Sequence, residues 1–526
     1  MRTTPSTPPA TRPHDRFAEV VPPPAGRPRP LRPKRATVIG AGIAGLAAST
    51  ILAEHGIEVT VIEGQDHLGG RVGAWPIDGE RTMSRGFHAF FRQYYNLRDL
   101  LSRADPELHN LKPVDDYPLI HSSGRVDTFA STPRTPPLNL LGFVWQSPSF
   151  PLAGLADVDI AAAIELIDVD FPADFGRYDG HSAADFLERL RFPEGARHLA
   201  LEVFARSFFA DPADFSAGEL VAMFHTYFTG SAEGLLFDVP DDDYDSALWA
   251  PLGRYLTGLG VTLRTGTKAL SLETGDDGWR VSIEAGDVRS DGLVLAADPA
   301  GTRDLLRSGR ESLIAAVPTA GDWIESVLAQ RNAPAFAVLR IWFGAPVAAD
   351  RPAFLGTSGY DVLDNVTVLE RFEAGAARWA RDHHGSVVEL HAYALETDPR
   401  SADGAAAAES DLVARMLADL HRVYPETADL PILESELLIE ADCPLTDTRP
   451  WAERPEPATP IPGLAVAGDH VRCETPVALM ERAATTGYLA ANHLLSAWRV
   501  EGTQIWSPPR RGLLRRGVLG RLRTRR

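Results

Sequence analysis

Cysteine is nearly absent: Cys443 and Cys473 are the only two in 526 residues. Two thiols cannot form the disulfide framework of a small secreted fold. Neither belongs to a CxxC or His/Cys ligand cluster, so no structural zinc, iron–sulfur cluster or other metal is expected. No run reaches the roughly 18 uninterrupted apolar residues that span a bilayer. The N-terminus also lacks the apolar segment of a signal peptide, so the sequence predicts a cytoplasmic protein. Acid is missing from the last twenty residues, SPPRRGLLRRGVLGRLRTRR, which hold eight arginines. Leu514, Val518 and Leu522 recur there every four residues. Two readings fit: a short interfacial helix at the inner face of an anionic membrane, or a solvated basic tail. The chain as a whole carries a net charge of -19, so its acidic body repels nucleic acid.

What is present is ample apolar material, 44% of residues, enough for two or three cooperating domains. After a Pro- and Arg-rich leader, RATVIGAGIAGLAASTILAEHGIEVTVIEG reads as strand, tight turn, helix and strand. In the turn GAGIAG, Gly40 permits the sharp bend and Gly42 lets backbone approach a pyrophosphate. Gly45 lets helix and strand pack closely, with Ala44 beside it at the helix start. Glu63, followed by Gly64, stands where an acid accepts hydrogen bonds from an adenosine ribose. The unit predicts dinucleotide binding without separating NAD from FAD.

Two further marks follow. EGQDHLGGRVG places Gly69, Gly70 and Arg71 just past the acid, where close backbone and a guanidinium suit a phosphate. Near the C-terminus IPGLAVAGDHV reads as a buried strand ending in Gly468-Asp469, before the small-residue helix of TPVALMERAATTGYLAANHLL. The expected class is α/β: a Rossmann-like domain from 35–85, 260–305 and 455–497, with an α+β substrate region from 86–259 and 306–454. Residues 1–34 are expected to be disordered and 498–526 to form a basic tail. Residues 157–259 look mostly helical, AFAVLRIWFG and SVVELHAYAL look like strands, and 404–422 an Ala-rich helix. PPLNLLGFVWQSPSFPLAGL (136–155) is apolar and loop-like, either a buried core segment or a mouth dipping into a membrane.

The GxGxxG, GGR and late GD elements together resemble the flavoprotein family of amine oxidases and carotenoid desaturases. That resemblance implies FAD, with Asp469 near its ribityl or pyrophosphate region, Ala478 at the helix start abutting the flavin, and the backbone at Lys268-Ala269 against adenine. It also implies that the segment MSRGFHAFF, with Arg85, Gly86 and Phe87, passes beside the isoalloxazine. Longer stretches, MSRGFHAFFRQYYNLR, SFFADPADFSAGELVAMFHTYFTG and EGLLFDVPDDDYDSALWAPL, closely resemble the isorenieratene synthases over roughly residues 35–497. This implies conversion of the β-ionone rings of β-carotene into aromatic φ rings by desaturation and methyl migration within each ring. The implied partners are a carotenoid, a membrane surface, and oxygen or a quinone as electron acceptor. A χ-ring synthase, a linear desaturase, an amine oxidase and a non-catalytic pigment-binding flavoprotein remain open.

Three catalytic candidates follow. His88 is a base candidate because the resemblance sets it near the flavin. In SVVELHAYAL, alternation puts Glu389, His391 and Tyr393 on one strand face, and in AVLRIWFG it does the same for Arg340 and Trp342. If the first face looks at the flavin, Glu389 stabilises positive charge and His391 accepts a proton. The competing reading is a solvent-facing or salt-bridged strand face. Arg85 either holds the flavin's polar edge or structures its own loop. From Arg92 onward the segment reads as an amphipathic helix with Tyr94, Tyr95, Leu97, Leu100 and Leu101 on its buried side.

Overall fold

In the computed structural model, residues 13, 15–130, 132–149, 158–192 and 208–516 are described. Arg35–Ile39 and Glu58–Ile62 lie side by side in a five-stranded parallel sheet. Its order is Thr262–Arg264, Glu58–Ile62, Arg35–Ile39, Gly292–Leu295, Leu464–Val466. Strand alternation sends Val38, Val59, Val61 and Val294 to one face and Ile39, Ile62, Leu293 and Leu295 to the other. The first face carries the helix Ile43–Glu54, buried from Ile43 to Ala53 because a second helix, Leu479–Ala497, packs on it. Small residues allow this contact: a Cβ on Gly487 would sit 2.4 Å from the Ala44 carbonyl oxygen. The opposite face is covered by the antiparallel strands Ala269–Gly275, Gly278–Ile283 and Gly286–Ser290 and the helix Pro299–Ala316.

A seven-stranded sheet forms the second region, in the order Ile432–Glu440, Phe336–Phe343, Ser386–Ala392, Asn365–Val368, Phe354–Ser358, Leu119–His121, Val126–Asp127. On one face Leu339, Ile341, Val388 and Leu390 pack against Leu412, Met416 and Leu420 of the helix Ala405–Val423. The other face holds Val338, Arg340, Glu389 and His391, with Arg340 opposite Glu389 and Val338 opposite His391. Both strands are buried along their whole length, which explains their near-continuous apolar sequence.

Four expectations are corrected. The leader is ordered over its described part from residue 15: Glu19–Val21 pairs antiparallel with Ile505–Ser507, and buried Asp15 accepts the Ala232 N–H at 3.2 Å. The basic tail therefore begins as a sheet strand; Val518 and Leu522 lie outside the described residues. Segment 136–155 is not a loop at its start but the helix Leu138–Gln146, with Asn139 and Phe143 buried and Leu138, Leu141 and Trp145 exposed. Finally, Tyr94, Tyr95, Leu97, Leu100 and Leu101 are buried as expected, but the helix Tyr95–Leu101 is buried around most of its circumference. Asn96 and Asp99 are buried with its leucines because Glu481 accepts the N–H groups of Asn96 and Leu97 while Tyr488 donates to Asp99. No described helix is long and apolar enough to cross a membrane.

Candidate active site

The turn after the first parallel strand is shaped by two glycines. Gly40 adopts φ 101°, and a Cβ on Gly45 would fall 1.9 Å from the Gly40 carbonyl oxygen. Glu63 closes the same turn from the second strand, accepting the Ala41 N–H at 2.6 Å and the Gln65 N–H at 2.8 Å. The Gly69 N–H donates to the Ala41 carbonyl at 2.9 Å, bringing the GGR segment against the turn. Here a cavity of about 1420 Å³ opens, larger than the roughly 300–1,000 Å³ of a single drug-sized ligand site.

Its wall includes Gly40, Gly42, Ala44, Glu63, Gly64, Gly70, Arg71, Ala269, Gly468 and Asp469. Three expected cofactor residues lie just outside that wall. Gly45 lies beneath the turn, Ala478 precedes the helix whose next residues, Leu479 and Met480, face the cavity, and Gly86 packs against the His391 ring. The cradle fits a dinucleotide. A Cβ on Gly64 would meet nothing within 4 Å and one on Gly42 only the Gly70 Cα at 3.9 Å and the Gly69 carbonyl oxygen at 4.0 Å, so backbone is bare where a pyrophosphate needs room.

Two arginines there are already engaged. Arg71 holds Asp469 in a bidentate pair at 2.8 and 2.5 Å. Burial pushes the Asp469 carboxyl up, but the Arg71 guanidinium and His470 outweigh it and hold the group well below the usual range. Arg85 donates to Asp442 at 2.6 Å and lies over the Phe336 ring, so it structures its loop.

The same cavity has an aromatic lining, with Phe87, Phe91, Tyr117, Tyr227, Phe237 and Phe354 among its residues. Phe87 stacks on Phe354 with ring centroids 4.4 Å apart. His88 also lines the cavity. Its Nδ1 donates to the Gly86 carbonyl at 2.7 Å, which leaves Nε2 as the acceptor. Burial lowers its pKa to about 4 despite that bond, so the ring is neutral near pH 7. Tyr244 fixes the loop, accepting the His88 N–H and donating to the Gly86 carbonyl, both at 2.9 Å.

His391 lines the cavity and Glu389 does not. Glu389 is fully buried behind it, where Arg340 reaches it at 2.6 Å and His391 at 2.9 Å. Burial would raise its carboxyl, yet Arg340 and His391 hold it at about 2. The expectation that Glu389 faces the flavin as a free stabilising carboxylate is thus corrected, since the salt-bridged reading of that face holds for it.

Sequence reading gave no role to Tyr244, Tyr227, Phe237 or Phe354. Tyr244 and Phe237 lie in EGLLFDVPDDDYDSALWAPL, whose aromatic spacing has no regular period because a strand, Phe237–Pro240, is followed within a few residues by a π-helical turn, Asp245–Trp249.

A family model described as flavin containing amine oxidoreductase matches residues 43–495. The carotenoid phi-ring synthase of Streptomyces griseus is 51% identical, covering 97% of this chain and 96% of the relative. The carotenoid phi-ring synthase of Chlorobaculum tepidum is 27% identical, covering 88% of each. Among solved structures, putrescine oxidase bound to putrescine superposes with TM-score 0.63 at 16% identity, covering 88% of this chain and 99% of that one. Cyclohexylamine oxidase from Brevibacterium oxydans does so with TM-score 0.61 at 14% identity, again covering 88% and 99%. At such identities the structural likeness speaks for the fold alone.

Proposed function

The chain belongs to the flavin-containing amine oxidoreductases and is an FAD enzyme, and on that premise we propose that it aromatises the β-ionone rings of β-carotene to φ rings. The observation that carries this reading is one cavity lined both by the bare backbone of the glycine cradle and by a set of aromatic side chains. A relative at 51% identity bears the name carotenoid phi-ring synthase, which supports the same substrate class.

Each ring loses four hydrogens and one geminal methyl moves to the adjacent carbon. FAD, when bound, supplies the hydride-accepting chemistry. Gly42, Gly64 and Gly70 would give it close backbone, and Glu63 would accept hydrogen bonds from its ribose. The protein must then hold a ring cation without letting water quench it. Aromatic faces attract the cation without attacking it, and each such contact is stronger the lower the local dielectric. His88 takes a proton at Nε2. A pKa of about 4 makes it a weak base, but protons beside a carbocation are strongly acidic, and a ring that stays unprotonated at neutral pH is always available.

The substrate reaches the chamber from a membrane surface. Leu138, Leu141, Trp145, Ile160 and Ile164 expose apolar side chains on two helices. The basic tail is anchored between the segments beside them. Arg515 pairs with Asp168 and Asp170, while Arg516 donates to the carbonyls of Thr229 and Gly230 near the Asn139–Phe228 contact. Exposed apolar side chains gathered on two helices suit a membrane interface. Reoxidation is by oxygen or a membrane quinone, and turnover under argon with and without quinone separates them. The function is tested by expression in a β-carotene-producing host: φ-ring carotenoids are expected. χ rings, a more desaturated chain with intact rings, or unchanged β-carotene with FAD-loaded protein each contradict it.

A further inference from the structure

Aromatising one ring removes two hydrides and two protons, and the protons leave from different carbons. His88 supplies one acceptor. The face of the seven-stranded sheet that looks into the cavity carries a second polar chain. Glu389 Oε2 accepts Arg340 Nε at 3.0 Å and Nη2 at 2.6 Å, and its Oε1 lies 2.9 Å from His391 Nε2. His391 Nδ1 lies 2.6 Å from Tyr393 Oη, which also accepts Asn365 Nδ2 at 2.9 Å. Tyr393 and His391 both line the cavity.

The direction of these bonds follows from the arginine end. A carboxylate bound to a guanidinium only accepts, so His391 Nε2 donates to it, Nδ1 is an acceptor, and Tyr393 gives its hydrogen to Nδ1. The Phe87 N–H also approaches Nε2, at 3.1 Å. A neutral amide contact is about half as strong as a charge-assisted bond to carboxylate, so the carboxylate sets the tautomer. Burial keeps the Tyr393 phenol protonated, well above its ordinary range.

We propose that Tyr393 is a catalytic residue whose Oη accepts a ring proton from the substrate, relayed through His391 to the Glu389 carboxylate's field. This rests on the carotenoid reading above. A C–H bond beside the cationic ring carbon breaks, and its electron pair becomes the new ring double bond. The proton passes to Tyr393 Oη as the phenol's own proton moves to His391 Nδ1. The positive charge of the ring thereby ends on His391, 2.9 Å from Glu389. The hydride was removed beforehand, so this step needs no further oxidant. Glu389 and Arg340 touch no substrate and act as positioning residues.

Tyr393→Phe deletes the hydroxyl and keeps the ring edge that packs on Phe209 with centroids 4.9 Å apart. Rates are taken per bound flavin, so only folded protein is counted. The variant is expected to reduce its flavin with β-carotene at the wild-type rate in the first anaerobic half-reaction. Its φ-ring formation should fall about 10²-fold as partly processed rings accumulate. Equal φ-ring formation by variant and wild type overturns the relay alone, as does an equal loss of flavin reduction and product formation. A wild-type protein that leaves β-carotene unchanged overturns the relay and the carotenoid reading together.

Discussion

The two linings of the cavity, glycine cradle and aromatic chamber, are built by opposite means. Most of the cradle is backbone from short, nearly contiguous segments, a glycine turn, an acid some twenty residues on and a GGR loop held against the turn by the Gly69–Ala41 bond, joined by the distant Gly468-Asp469. The chamber is made of side chains that meet only through tertiary structure. Phe87 reaches His391 and Phe354, and Arg340 reaches Ser84. The difference teaches that one lining is fixed by local conformation and tolerates change elsewhere. The other depends on a buried Arg340–Glu389 pair 49 residues apart and on contacts such as Arg340–Ser84 that join segments hundreds of residues apart.

The strongest way to break the chamber is to unpair its buried ions. Arg340→Ala leaves Glu389 buried without its countercharge and should cost about 3–5 kcal/mol of stability, read by denaturant melts. The pH dependence has a definite sign. Glu389 is held at about 2, below its unfolded value near 4.5. Its contribution is therefore present above about pH 4.5 and is lost as pH falls toward 2; Arg340→Ala should flatten the stability curve in that window. At the cradle, Gly42→Val puts a branched side chain into the cofactor's space. It should lower FAD content more than about tenfold, some 1.4 kcal/mol or more of binding, with circular dichroism unchanged. If flavin is retained, the cradle is misplaced.

His88→Ala should leave flavin content intact and slow turnover about 10²-fold. In the wild type the acid limb of the pH profile should lie near 4 rather than near the ordinary histidine value of about 6.5. Normal turnover of the alanine variant would remove His88 from the reaction. The smallest effect is at the surface. Leu141→Ser with Trp145→Ser should weaken sedimentation with anionic vesicles several-fold while leaving FAD content and stability unchanged, and unaltered vesicle binding would count against this face as the membrane contact.

The same contrast explains what could be read from the chain. The cradle was legible because its function demands residue types at fixed spacing: Gly40 for a positive φ, Gly45 for a helix pressed on a turn, Glu63 at the end of the next strand. The strand faces were also legible, since alternation alone placed Glu389 with His391 and Arg340 with Trp342. That Arg340 faces Glu389 was not, because strand register is set by the pairing of Phe336–Phe343 with Ser386–Ala392. The helix Tyr95–Leu101 misled for a related reason: its buried Asn96 and Asp99 are satisfied by Glu481 and Tyr488, nearly four hundred residues away. The leader misled because its Pro- and Arg-rich composition resembles that of a loose arm, while its strand partner, Ile505–Ser507, lies at the far end of the chain.

The central claim is that the cradle and the aromatic chamber serve one reaction on a carotenoid ring. It is tested most directly by mixing the FAD-loaded protein anaerobically with β-carotene in detergent micelles and, separately, with putrescine, while following flavin absorbance. The account predicts flavin bleaching with β-carotene, a product with altered rings, and no bleaching with the amine. Bleaching by putrescine with no response to β-carotene would contradict it.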